Sequence, residues 1–110
     1  LGFGAFSGPL LPLIKDLFSS LLVGEDCLAT EKLWNFMVSP TAPFGDTGIA
    51  SCAISAVDTA LWDLKGKILQ RPVYELLGGP QKDKIFCYAS GFDTKWYVEL
   101  GFKATKLFTP

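Results

Sequence analysis

A chain of 110 residues can supply one small domain, and 49% hydrophobic against 19% charged residues rules out a disordered segment. Ten basic and eleven acidic residues give a net charge of -1, with no basic run or basic helix face, which argues against nucleic acid and anionic membrane as partners. Histidine is absent, so the commonest general base and the commonest metal ligand are both missing.

A domain of this size buries only roughly two-thirds of its unfolded surface. With 14% aromatic residues the chain is short of interior, which points to a part of something larger; it begins at Leu1, with no initiator Met. Cys27, Cys52 and Cys87 are far apart and lack metal-ligand spacing, as expected for reduced thiols in a cytoplasmic protein. The apolar start, "LGFGAFSGPLLPLIKDLFSSLLVG", has no basic n-region and is interrupted by Lys15 and Asp16. Its unbroken apolar stretches fall far below the ~20 residues of a membrane span, so neither a signal peptide nor a transmembrane helix is expected.

Residues 1–7, "LGFGAFS", have the content of a strand end. "PLIKDLFSSLLVG" alternates at helical spacing, with Pro12 suited to the first turn and Gly24 to the stop. Thr30 can cap a short helix, "EKLWNFMV", that Ser39-Pro40 would end. "SPTAPFGDTG" carries two prolines and two glycines in ten residues and is expected to be a loop. A long helix, about 30 Å, should follow from roughly Ile49 to Leu69, with Arg71-Pro72 breaking it. Pro72 starts one further turn, "PVYELL", closed by Gly78-Gly79. The pattern then changes. "KIFCYAS" is strand-like, "DTKWYVELG" is a short helix with Asp93 as cap and Gly101 as stop, and "FKATKLF" is strand-like again. That order is a βαβ unit, for which a parallel strand pair is the default.

The long helix is apolar on most sides. Ile54, Val57, Leu61, Leu64 and Ile68 make one stripe, and Ala53, Ala56 and Ala60 a second, small-residue one. Asp58 and Asp63 lie roughly 140° apart around the axis, so they cannot pair on one face. Asp63 is four before Lys67, an ion-pair spacing. Asp58 sits deeper in the apolar part and calls for donors from backbone amides or a neighbouring element.

"AISAVDTALWDLKGKILQRPVYELLGG", residues 53–79, resembles the segment that enters the barrel in the mandelate racemase/muconate lactonizing enzyme family of the enolase superfamily. The shared pattern is A-I-x-x-(I/V)-D-x-A-L-W-D-(L/I)-x-G-K, then P-V-Y-x-L-L-G-G. "GFGAFSG" is similar to the family's G-x-G-E stretch, with Ala5 in place of Glu. "LLVGEDCLATEKLWNFM" is similar to L-L-x-G-x-D-P-x-x-x-E-x-L-W, with Cys27 in place of Pro. The likeness spans essentially the whole chain.

The resemblance implies an α+β / α/β fold: the helical end of an enolase-type capping domain leading into the first βαβ unit of an incomplete (β/α)8 barrel. Residues 1–52 would be the C-terminal part of the capping domain, 53–79 a linker helix and turn, and 80–110 the first β-α-β of the barrel. It also implies proton abstraction alpha to a carboxylate, with Mg2+ stabilising the enediolate. The metal ligands would lie beyond Pro110, so the chain is expected to be a fragment without a complete catalytic set. Such a piece alone is expected to be aggregation-prone or molten, through its exposed apolar surface.

The family often ends its second barrel strand in K-x-K, whose second Lys is the base in racemases. Here the stretch is Lys106-Leu107-Phe108, so the first Lys is kept and Phe108 cannot take a proton. Both would face into the barrel. "GFKATKLFTP" is similar to the acid-sugar dehydratase branches near rhamnonate dehydratase. By that likeness Lys106 is the candidate catalytic residue, a positive charge beside the substrate carboxylate, and solvent contact is the plainer alternative. Lys103 would fall on the opposite face. Ser90 and Gly91 follow the first barrel strand, where Ser90 is a candidate substrate contact and a simple turn is the alternative. "PFGDTG" reads as a solvated connector rather than a cap loop. The implied partners are a sugar acid or other carboxylate and, for the full-length protein, further copies of itself. The expected activity is dehydration of a sugar acid to a 2-keto-3-deoxy acid. The alternatives are a racemase or cycloisomerase of the same superfamily, and a non-catalytic helical interaction module.

Overall fold

A computed structural model of the protein describes residues 7–44 and 47–107. They form two compact units that meet in sequence at Gly79 and Pro80.

The first unit is helical. It opens with α1 (Ser7–Pro12), passes into a π-helical stretch (Leu13–Phe18) and returns to α-helix as α2 (Ser19–Leu22). The expected strand end at residues 1–7 lies outside the described residues except for Ser7, which is helical. Pro12 does not open the helix; it ends α1. Proline offers no N–H to the carbonyl four residues back, and the wider π turns begin directly after it. Val23 leaves the helix in an extended conformation, and Gly24 turns the chain at φ 90°, as its place after the apolar run suggests.

Next comes α3 (Thr30–Thr41), which continues through Pro40 into a 3-10 turn (Ala42–Phe44). Ser39-Pro40 therefore does not stop the helix, and residues 39–44 of the expected loop are helical. A proline in the last turn removes one backbone bond only. The Thr41 hydroxyl ties that turn down by donating towards the carbonyls of Met37 and Val38, 3.0 Å from each. Thr30 is the first helical residue rather than the cap; the residue before the helix, Ala29, makes no side-chain cap bond.

The long helix, α4 (Ile49–Leu69), has the expected bounds. Gln70 turns left-handed at φ 53° and donates to Gly66 and Lys67, and Arg71 N–H donates to Gly66 at 2.9 Å. Pro72 then precedes the single turn of α5 (Val73–Leu76). A core of Leu10, Phe18, Met37, Ala53 and Ile54 joins α1, the π turns, α3 and α4, with Val57 and Leu61 packed against it. The apolar stripe of α4 thus divides. Its N-terminal half is in the core, whereas Leu64 and Ile68 are 42% and 49% exposed.

In the second unit, β1 (Ala89–Ser90) and β2 (Thr105–Lys106) pair in parallel across α6 (Thr94–Glu99). Both expected strands shorten to two residues. Residues 84–88 and 107 have no strand partner among the described residues, and a strand is defined by its partner. Ile85, Phe86 and Phe92 are 78%, 69% and 74% exposed, so this unit presents the apolar surface that the composition foreshadows. Asp93 caps α6 by accepting from Trp96 N–H at 3.1 Å.

Candidate functional site

The parallel register sets Ala89 opposite Thr105 and Ser90 opposite Lys106. Side chains on one rung of a sheet share a face, so Ser90 and Lys106 project from the same face at the C-terminal ends of both strands. Each is exposed, and neither has a hydrogen-bond or ion-pair partner among the described residues. The strands are joined where Gly91 N–H donates to the Lys106 carbonyl at 3.1 Å and Ala89 N–H donates to Ala104 at 3.2 Å.

The pair is braced from α6. Tyr97 Oη donates to the Ser90 carbonyl at 3.3 Å, which leaves the Ser90 hydroxyl free. Gly91, at φ 144°, makes room for that phenol; a Cβ there would collide with Tyr97 Oη. This corner joins a hydroxyl donor to a positive charge, a combination suited to an anionic oxygen. Lys103 is exposed and precedes β2 instead of sharing in it. Phe108, the counterpart of the family's second Lys, lies outside the described residues, as do Gly45 and Asp46 of the "PFGDTG" connector.

No group of three or more Cys, Asp or Glu side chains gathers among the described residues to hold a metal ion. The described residues thus offer no Mg2+ site of their own. Cys27, Cys52 and Cys87 are free thiols. Among the described residues, no helix is long and apolar enough to cross a membrane.

A second polar cluster, unforeseen from the sequence, lies in the helical unit. Glu31 and Trp34 from α3 meet Asp58 and Trp62 from α4 around a cleft of about 280 Å3, which Thr30 also lines. The donors expected for Asp58 are absent: among the described residues it makes no hydrogen bond or ion pair, because α3 offers it a carboxylate instead. Burial, and secondarily the Glu31 charge, push the Asp58 carboxyl above its ordinary value. Its half-exposed position makes that tolerable. Asp63 behaves as its spacing foretold: Lys67 Nζ donates to it at 2.6 Å and holds its carboxyl below the usual range. The signal for the cleft was present in the shared run of Glu31 and Trp34 at i, i+3 and Asp58 and Trp62 at i, i+4, but their meeting depends on how two helices pack.

The sequence profile of the mandelate racemase / muconate lactonizing enzyme N-terminal domain matches residues 10–78. L-rhamnonate dehydratase from Saccharopolyspora erythraea is 41% identical over 95 residues, covering 86% of this chain and 24% of that protein. Among solved structures, the 3,6-anhydro-D-galactonate cycloisomerase from Zobellia galactanivorans superposes with a TM-score of 0.78 at 38% identity, over 96% of this chain and 32% of that one. A mandelate racemase/muconate lactonizing protein from Paracoccus denitrificans, complexed with magnesium, superposes with a TM-score of 0.68 at 38% identity, over 74% of this chain and 22% of that one. The chain spans about a quarter of the length of the curated relatives it matches.

Proposed function

The chain belongs to the mandelate racemase/muconate lactonizing enzyme family, and on that premise we propose that it serves an acid-sugar dehydratase, a lyase acting on a sugar acid. The observation that carries this is the Ser90–Lys106 rung at the strand ends. Support for the dehydratase class comes from the identity to L-rhamnonate dehydratase and, at 39%, to arabinonate dehydratase from Saccharolobus solfataricus.

In this proposal residues 1–52 finish a capping domain, 53–79 link it to a barrel, and 80–110 are that barrel's first β-α-β. Lys106 Nζ stands beside the substrate carboxylate and offsets the negative charge that grows there as the alpha proton leaves. The Ser90 hydroxyl donates to a substrate oxygen and fixes its orientation. Mg2+, held by residues other than those described, would stabilise the enediolate. The working protein is expected in the cytoplasm and as a homo-oligomer.

A cycloisomerase is the second reading, favoured by the Zobellia neighbour. Phe108, at the sequence position where the family's racemases carry a second lysine, weighs against racemisation through that residue, since its ring takes no proton. The test is to express the reading frame that contains this chain and screen it with sugar acids, with and without Mg2+, for 2-keto acid. Mg2+-dependent dehydration is the expected result. Isomerised product would favour the second reading, and a folded protein inert to every sugar acid would favour a helical interaction module.

A further inference from the structure

We propose that Tyr97 is a positioning residue of the site: its hydroxyl clamps the Ser90–Gly91 peptide plane and, through that plane, sets Ser90 and Lys106 for the substrate. The Ser90 carbonyl and the Gly91 N–H belong to one planar unit and point in opposite directions. Each end has its own partner. The carbonyl accepts from Tyr97 Oη at 3.3 Å, and the N–H donates to the Lys106 carbonyl at 3.1 Å. One plane therefore ties α6 to the ends of β1 and β2, and turning it breaks both bonds at once. The role in catalysis rests on the dehydratase reading above, whereas the clamp rests on these bonds alone.

The plane has little else to hold it. Gly91 follows it at φ 144°, a conformation open to glycine, and glycine leaves the neighbouring peptide the most freedom to turn. β1 ends at Ser90, and among the described residues no strand-to-strand bond lies beyond the Gly91 N–H. The phenol, by contrast, is well anchored. Tyr97 N–H donates to the Asp93 carbonyl at 3.2 Å, and the Tyr97 carbonyl accepts from Phe102 N–H at 3.0 Å. Its ring lies against that of Trp96, 5.7 Å between centroids. A Cβ at position 91 would collide with the hydroxyl, so the glycine and the phenol fit as a pair. Because Tyr97 donates its proton to a backbone carbonyl, it acts through Ser90 and Lys106.

Tyr97→Phe removes the hydroxyl and keeps the ring. In the protein expressed from the full reading frame, amide hydrogen exchange is read residue by residue for this variant and the parent. kcat/KM on the preferred sugar acid is then compared with and without the substitution in the parent, Ser90→Ala and Lys106→Ala backgrounds. The Gly91 amide should exchange about 3–10-fold faster, the worth of one ordinary hydrogen bond. The Ala89 amide, which donates to Ala104 at 3.2 Å, should keep its rate. In the parent background kcat/KM should fall by about 3–10-fold, and the loss should shrink to under about twofold where Ser90 or Lys106 is already Ala. Unchanged exchange at Gly91, or equal acceleration at Gly91 and Ala89, would overturn the clamp. No loss in the parent background, or a loss of the same size in all three, would overturn the positioning role, since a bond that only steadies the fold acts independently of those side chains. A parent that turns over no sugar acid would sink the dehydratase reading instead, and exchange at Gly91 and Ala89 would still decide the clamp.

Discussion

Ser90 and Lys106 occupy one rung of the parallel pair, and Tyr97 fastens that rung through the Ser90 carbonyl. The proposed division of labour follows: charge from Lys106, orientation from Ser90. In the protein expressed from the full reading frame, Lys106→Ala should lower kcat by roughly 10²–10³-fold, the usual loss for one preorganised charge-stabilising group. Lys106→Arg should recover part of it, and Ser90→Ala should act mainly on KM. Steady-state kinetics on the preferred sugar acid check all three; unchanged kcat in Lys106→Ala would return that lysine to solvent.

The close approach of the α4 C-terminus to the following turn makes Gly66 intolerant of a side chain. A Cβ there would sit 2.8 Å from the Arg71 carbonyl oxygen, a backbone atom with little freedom to move. Gly66→Ala should cost about 1–3 kcal/mol as overpacking. Gly8→Ala, where a Cβ meets nothing within 4 Å, should be neutral or stabilising by about 0.4–1 kcal/mol. Urea unfolding of the two variants gives the comparison; equal midpoints would contradict it.

Asp58 should make stability depend on pH in the direction opposite to a salt-bridged carboxylate. Its folded value is raised above 3.8, so the folded chain holds the proton more tightly than the unfolded one, and stability falls as pH rises through the raised value. Asp58→Asn should therefore melt at a higher temperature than the parent at pH 7, and the gap should close as pH is lowered into the carboxylate range. Thermal melts at pH 7 and pH 3 test this. A lower Tm for the variant at pH 7 would mean that Asp58 has a stabilising partner.

The cap of α6 is a single side-chain bond on a six-residue helix. Asp93→Ala should cost about 0.5–2 kcal/mol locally. Faster hydrogen exchange at the Trp96 amide, with the α4 amides unaffected, is the expected result.

Much of this was legible in the sequence because the signals are local. The bounds of α4, the stop at Gly24, the Asp93 cap and the Asp63–Lys67 pair rest on neighbours within a few residues. Pro12 and Pro40 depart from expectation for a related reason. Proline forbids one hydrogen bond, and the cost depends on where in the helix that bond falls, which composition does not tell. The strands are shorter than their composition suggests because strand content without a partner is only extended chain. Lys106 and Ser90 were singled out through family likeness, but their shared rung is a matter of register. The Glu31–Asp58 cleft could not be assembled from its sequence spacing, because it joins residues far apart in sequence through helix packing.

The most direct measurement is the release of 2-keto acid by the full-reading-frame protein from a panel that includes L-rhamnonate and arabinonate, with Mg2+ and with chelator, for the parent and for Lys106→Ala. The account predicts turnover of at least one sugar acid by the parent, loss with chelator, and a fall of about 10²-fold or more in the variant. A folded protein that dehydrates none of them, or one whose turnover is indifferent to Lys106, would contradict it.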